Sequence, residues 1–408
     1  MKRLTVLLAL CATAFAQDMQ HMQHDTQHDM HNMHNMNRAG MYLMNMASGT
    51  SMNPYSWQMP MIMTESGNWS AMFMGQAFLV DTQQSGPRGG DKFYSPNWVM
   101  AEALHKTGEN GSIMFTAMLS LDPATVTNRS YPLLFQTGET AYGKPLVDAQ
   151  HPHDFVMGLS VQYAYRVNRD TMLQLYYAPV GDPALGPVAF PHRASAFELP
   201  QATLGHHWQD STHVADNVAT VAVRYKWMRV EASGFYGSEP NENRWNIDWG
   251  GMNSYSGRFS VAPTQDWMIQ VSAGRLARPE RQEPGDVTRT TASVAYTRGG
   301  WSSSFIWGRN IKEHDGTNSW LVETVAPFRQ KNYVMGRFEL VDKDELLVPG
   351  THRVKAYTAG YTRDIVTFQH ALIGLGANIS GYAIPSELHA AYGERPFGVN
   401  VYLRLRLK

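Results

Sequence analysis

From Trp69 onward, apolar and polar side chains alternate in segments of roughly ten residues, the period-two pattern of a strand whose two faces meet different surroundings. The C-terminal FGVNVYLRLRLK is the clearest case: Val399, Val401, Leu403, Leu405 and Leu407 share one face, and Asn400, Tyr402, Arg404, Arg406 and Lys408 the other. In NVATVAVRYKW, Ala219, Val221, Val223, Tyr225 and Trp227 oppose Thr220, Arg224 and Lys226; in MRVEASGFYG, Val230, Ala232, Gly234 and Tyr236 oppose Arg229 and Glu231. A soluble sandwich buries its apolar face against a second sheet and leaves the other face to water. Here the polar face repeatedly carries Arg and Glu, which suits a wet lumen. The inward set extends to Arg258, Arg309, Arg337 and Glu339. About sixteen such segments can be counted, fourteen being the alternative, centred near residues 74, 101, 116, 160, 175, 222, 232, 258, 271, 293, 305, 321, 337, 358, 374 and 402.

The connections sort by length. TGENG at 107 to 111, VNRD at 167 to 170, PTQD at 263 to 266 and RGG at 298 to 300 alternate with longer ones such as 122 to 153, 181 to 216, 238 to 253 and 380 to 396. Short turns on one side and long loops on the other are the asymmetry of outer-membrane barrels. Trp227, Trp267, Trp301 and Tyr333 lie beside short turns, where an interfacial aromatic girdle is expected. The expected fold is all-β: a transmembrane antiparallel up-and-down barrel over residues 68–408, with both termini periplasmic. The competing reading is a soluble all-β protein with long loops. The ending Leu407-Lys408 departs from the aromatic closing residue usual in such barrels.

Upstream the texture changes. Lys2 and Arg3, the apolar run Leu4 to Leu10 and Ala14-Phe15-Ala16 read as a secretory signal peptide over 1–16. The single cysteine, Cys11, falls inside it after Leu10 and is not read as a lipid anchor. Residues 17–40 form a Met/His-rich tail that cannot bury a core and should be disordered; 41–67 is a Met-rich linker. Without the leader, 32 basic residues face 35 acidic ones, a formal net charge of −3, which argues for neither nucleic acid nor an acidic surface as partner.

Two places carry chemistry. The tail interleaves His21, His24, His28, His31 and His34 with Met19, Met22, Met30, Met33 and Met36. Thioether suits Cu(I) and imidazole suits Cu(II), Zn(II) and Ni(II), so such a segment can hold copper in both oxidation states, with zinc or another divalent ion second and no organic cofactor. The second place is a pair of long loops joined by one strand hairpin. HPHD supplies His151, His153 and Asp154; the loop after residue 180 supplies His192, Arg193 and the stretch HHWQDSTH, with His206, His207, Asp210 and His213. If residues 205 to 213 were helical, His206, Asp210 and His213 would share one face as convergent ligands. Equally, long barrel loops can fold inward as a structural plug. A third reading pairs Ser211 with His213 or His207 and with Asp210 or Asp154 as a lipid or ester hydrolase, although no strained nucleophile elbow surrounds Ser211.

Signal peptide, Met/His-rich tail and C-terminal barrel together resemble in outline copper-resistance protein B. The stretches YPLLFQTGET (131 to 140), QHPHD (150 to 154), GDPALGPVAF (181 to 190), GHHWQDSTH (205 to 213) and VDKDEL (341 to 346) resemble a family of bacterial outer-membrane β-barrels of no assigned activity tied to metal handling. The resemblance implies an outer-membrane barrel, with outer-membrane lipid, metal ions and periplasmic copper proteins as partners. It implies no catalytic residues. The expected role is copper or similar transition-metal binding, resistance or transport, with a general porin as the alternative and the hydrolase as a second.

Overall fold

The computed structural model describes residues 36–210, 215–280 and 285–408. Its wall is a closed antiparallel barrel of sixteen strands. In chain order these are β1 (Trp69–Gln84), β2 (Asn97–Thr107), β3 (Gly111–Leu119), β4 (Val156–Arg166), β5 (Thr171–Val180), β6 (Asp216–Tyr225), β7 (Met228–Tyr236), β8 (Ser254–Val261), β9 (Trp267–Leu276), β10 (Val287–Arg298), β11 (Trp301–Lys312), β12 (Asp315–Phe328), β13 (Asn332–Lys343), β14 (His352–Thr367), β15 (Ala371–Ala383) and β16 (Phe397–Leu407). Every one of the sixteen expected centres falls inside one of these strands. Closure is made by β16 on β1, with Asn400 opposite Thr82. Because β1 outruns its neighbours, Ile62–Ser66 and Asp91–Tyr94 pair along its remaining edges, so no long edge is left open.

The alternation behaves as expected. Leu173, Leu175, Val221, Val223, Val230, Leu403 and Leu405 are exposed on the outside, whereas Gln174, Arg229, Glu231, Arg404 and Arg406 are buried inside. An apolar outer face of this kind is stable against lipid and would be a liability in water. Trp227, Trp267 and Trp301 are half-exposed at the short-turn rim. Two expectations need correcting. Tyr333 faces inward, its ring under the guanidinium groups of Arg404 and Arg406. Arg309 lies on the outward face with Phe305, because the inward positions of β11 are the even-numbered Ser302, Ser304, Ile306 and Gly308.

The lumen is filled by three inserts. The first begins within the end of the segment expected to be disordered (17–40), which is helical from Arg38, and continues into the stretch read as a Met-rich linker (41–67). Helix α1 (Arg38–Met44) is capped by Asn37, whose side chain accepts from Gly40 N at 2.8 Å while its amide donates to Gly108 O and Gly111 O at the short-turn end. A small hairpin follows, and Thr50 at its tip donates to Glu231 Oε1 and accepts from Arg258. The second insert is an inner hairpin, Tyr131–Ala141 with Lys144–Gln150. The third is the loop after β5. Its Arg193 binds Glu323, which also holds Arg337, and its Glu198 binds Arg404 and Arg406. The charged lumen is thus present, its charges paired partly within the wall, as in Arg258 with Glu231 and Arg404 with Asp364, and partly with the inserts.

Methionine dominates the short-turn half of the interior. Met46 and Met52 of the first insert pack with inward-facing Met72, Met74, Met100, Met114, Met172 and Met268 of the wall.

Candidate metal centre

HHWQDSTH enters the lumen as a single helical turn, α2 (His206–Gln209). Asp210 is already extended (φ −126, ψ −176), with its carbonyl held by Arg289. A one-turn helix with no side-chain cap has too few hydrogen bonds to propagate. Asp210 therefore leaves the helical face it was expected to share with His206; Ser211 and His213 lie outside the described residues, as do His21, His24, His28, His31, His34, Met19, Met22, Met30 and Met33 of the tail. Met36 is described and packs against the methionine cluster.

A different trio converges. His151, His206 and His207, all buried, each present one ring nitrogen such that the three lie within 4.8 Å of one another. Ring centroids are 4.3 Å apart for His206 and His207, and 6.0 Å from each to His151. His206 Nδ1 donates to Thr203 O at 2.7 Å, which in a neutral ring leaves the lone pair on Nε2. His207 Nδ1 faces Glu239 Oε1 at 3.3 Å. His151 is bracketed by Glu139 Oε1 at Nε2 and Pro152 O at Nδ1, both at 3.0 Å.

Burial, then the neighbouring imidazoles, hold His206 and His207 well below the usual histidine range, so both are neutral and able to ligate. Burial opposes ionisation of Glu139, but Arg244 and His151 beside it keep its carboxyl low. Glu239 is pushed well up, by burial and then by the carboxylates of Glu280, Glu139 and Glu345.

His153, Asp154 and Asp210 stand outside the trio. His153 Nδ1 donates to Asp122 Oδ2 at 2.8 Å, and Asp154 pairs with Arg244, so Asp154 does not orient a histidine as the hydrolase reading requires. Glu139 and Glu239 were not foreseen; they arrive from the inner hairpin and from the loop after β7, with no local sequence signal. A cavity of about 120 Å³ borders the trio through His151 and His206, and is lined also by Met46, Met100, Met118, Met157 and His192.

No protein-family model and no curated protein sequence matches the chain. Among solved structures it is similar to an anion-selective porin from Comamonas acidovorans (TM-score 0.52, 10% identity, 83% of this chain and 99% of that one). It is also similar to Salmonella typhi OmpF, solved in complex with daunomycin (TM-score 0.52, 8% identity, 84% of this chain and all of that one). The protein has the fold of an outer-membrane β-barrel of the porin type.

Proposed function

We propose that this chain is a bacterial outer-membrane barrel that binds a transition-metal ion, copper foremost, at His151, His206 and His207, with its Met/His tail on the periplasmic side as collector. One observation carries the reading: three buried imidazoles from two separate loops within 4.8 Å of one another. A cation at the trio would find the buried carboxylate of Glu139 beside His151. A cation here would also relieve the burial of Glu239. Carboxylates against the imidazoles are the usual second tier of a histidine site. An ion at roughly 2.0–2.1 Å from each nitrogen draws neighbouring ligands to about 3.4 Å, so binding would contract the trio.

Co(II) serves as the spectroscopic probe. The folded full-length protein should take it up with visible ligand-field bands, and His206→Ala and His207→Ala should each weaken that uptake at least tenfold. Equal Co(II) spectra in wild type and both variants would refute the site. Deleting residues 17 to 37 should remove most of the Cu(I) binding while leaving the Co(II) bands.

The second reading is a porin, favoured by the fold likeness. It predicts conductance in planar bilayers that is indifferent to copper and to chelators.

A further inference from the structure

His192 lines the same cavity as His151 and His206 and meets the sulfur of Met118. It is 2% exposed. Trp98 packs against the ring at 4.4 Å between centroids, which fixes its plane. Nε2 approaches Met118 Sδ at 2.9 Å, and Nδ1 has no hydrogen-bond partner among the described residues. Met46, Met100 and Met157 line the same cavity. A thioether is a weak acceptor, so a buried imidazole whose one ring hydrogen-bond contact among the described residues is a sulfur has surrendered its hydration for little return. A thioether on a buried imidazole nitrogen, with further thioethers lining the same cavity, is a donor set that Cu(I) prefers.

We propose that His192 and Met118, with one or more of Met46, Met100 and Met157, form a second metal site selective for a soft monovalent cation, Cu(I) or Ag(I). An ion with bonds as short as those of zinc, roughly 2.1 Å to nitrogen and 2.3 Å to sulfur, would set its donors about 3.5 Å apart, and the larger Ag(I) further. The pair therefore opens slightly on binding, a movement the unbranched Met118 side chain absorbs by rotation. The position suits relay. The methionine cluster reaches from the short-turn end, where the described chain begins at Met36, up to Met100 and Met118 at this cavity. His151 and His206 of the harder imidazole trio border the same cavity. The site is independent of the trio, sharing no ligand with it.

The test uses full-length protein labelled with ¹³C at the methionine methyl groups, folded in detergent micelles and titrated with Ag(I). The Met118 resonance is assigned by its loss in Met118→Leu. It should move saturably with Ag(I), keep moving in His206→Ala, and stay still in His192→Phe, which retains a ring against Trp98. Failure of the trio would leave this result untouched. The site is refuted by a Met118 signal that Ag(I) does not move, by a shift that survives His192→Phe, or by one that His206→Ala abolishes. Should His192→Phe not fold, the volume-conserving Met118→Leu decides through Ag(I) competition: one binding equivalent weakened at least tenfold supports the site, and an unchanged isotherm overturns it.

Discussion

A single missing methyl group shapes the imidazole trio. Gly138 lies on the inner hairpin at φ +106, and a Cβ there would sit on the ring of His207. Alanine at this position is strained by the backbone and pushes the imidazole out of register with His151 and His206. Gly138→Ala should therefore weaken Co(II) binding about tenfold or more without removing any ligand, while heat-modified gel mobility still reports a folded barrel. Undiminished binding would mean that His207 does not need this position. Asp182, just past β5, makes a pH prediction. Burial, then the carboxylate of Asp210, pushes its carboxyl up to about 7, against about 3.9 in the unfolded chain. The native state thus binds the extra proton between those values, and stability falls as pH rises from about 4 to 7. The side chain accepts from Ser48 and is only partly enclosed, so the full shift overstates the cost, which we put at about 1–2 kcal/mol. Asp182→Asn should raise the unfolding midpoint at pH 8 and leave it level or lower at pH 4. The same difference at both pH values would remove the carboxyl from the account.

At the scale of elements, strands were legible and inserts were not. A wall strand must satisfy lipid on one side and lumen on the other, and that double demand writes itself as alternation; hence all sixteen centres could be placed, and only side assignments such as Arg309 and Tyr333 went astray near strand ends. The inner hairpin has neither surrounding in regular order. Phe135, Gly138 and Glu139 all take positive φ, and its register shifts twice, so its sequence looks like a long loop. The first insert reads as linker because short helices and hairpins draw their stability from the wall around them. Of the metal candidates, His151, His206 and His207 were legible by residue type, but their grouping was not: helical spacing pointed to Asp210 and His213, and α2 ends first. Glu139 and Glu239 are brought in by barrel closure alone. The methionine cluster did leave a trace, in Met72, Met74, Met100, Met114 and Met118 on the face that elsewhere in the barrel carries Arg and Glu.

For the whole molecule, the question is what a sixteen-stranded wall does when it is full. Such a wall is wide enough for an aqueous channel, and open porins with a similar wall use it so. Here the inserts are held by buried polar contacts on several strands: the ion pair of Arg193 with Glu323 on β12, the hydrogen bond from Thr50 to Glu231 on β7, and the ion pairs of Glu198 with Arg404 and Arg406 on β16. The wild-type protein should accordingly conduct far less in planar bilayers than an open porin of the same strand number. Glu198→Ala leaves Arg406 without its carboxylate and Arg404 with Asp364 alone, and breaking a buried pair from one side costs about 3–5 kcal/mol. Backbone ladders between strands do not depend on Glu198, so the barrel should stay folded while the plug detaches locally from β16. The expected record is a nearly silent wild type and a variant with frequent open events. A wild type that already conducts like an open porin would overturn the filled lumen and favour passive diffusion. A variant as silent as the wild type would show that the remaining anchors hold the plug alone. Open events in the variant that disappear on adding Cu(II) or Zn(II), and return with chelator, would place the imidazole trio and the plug in one mechanism, since the loop that carries Glu198 is the loop that carries His206 and His207.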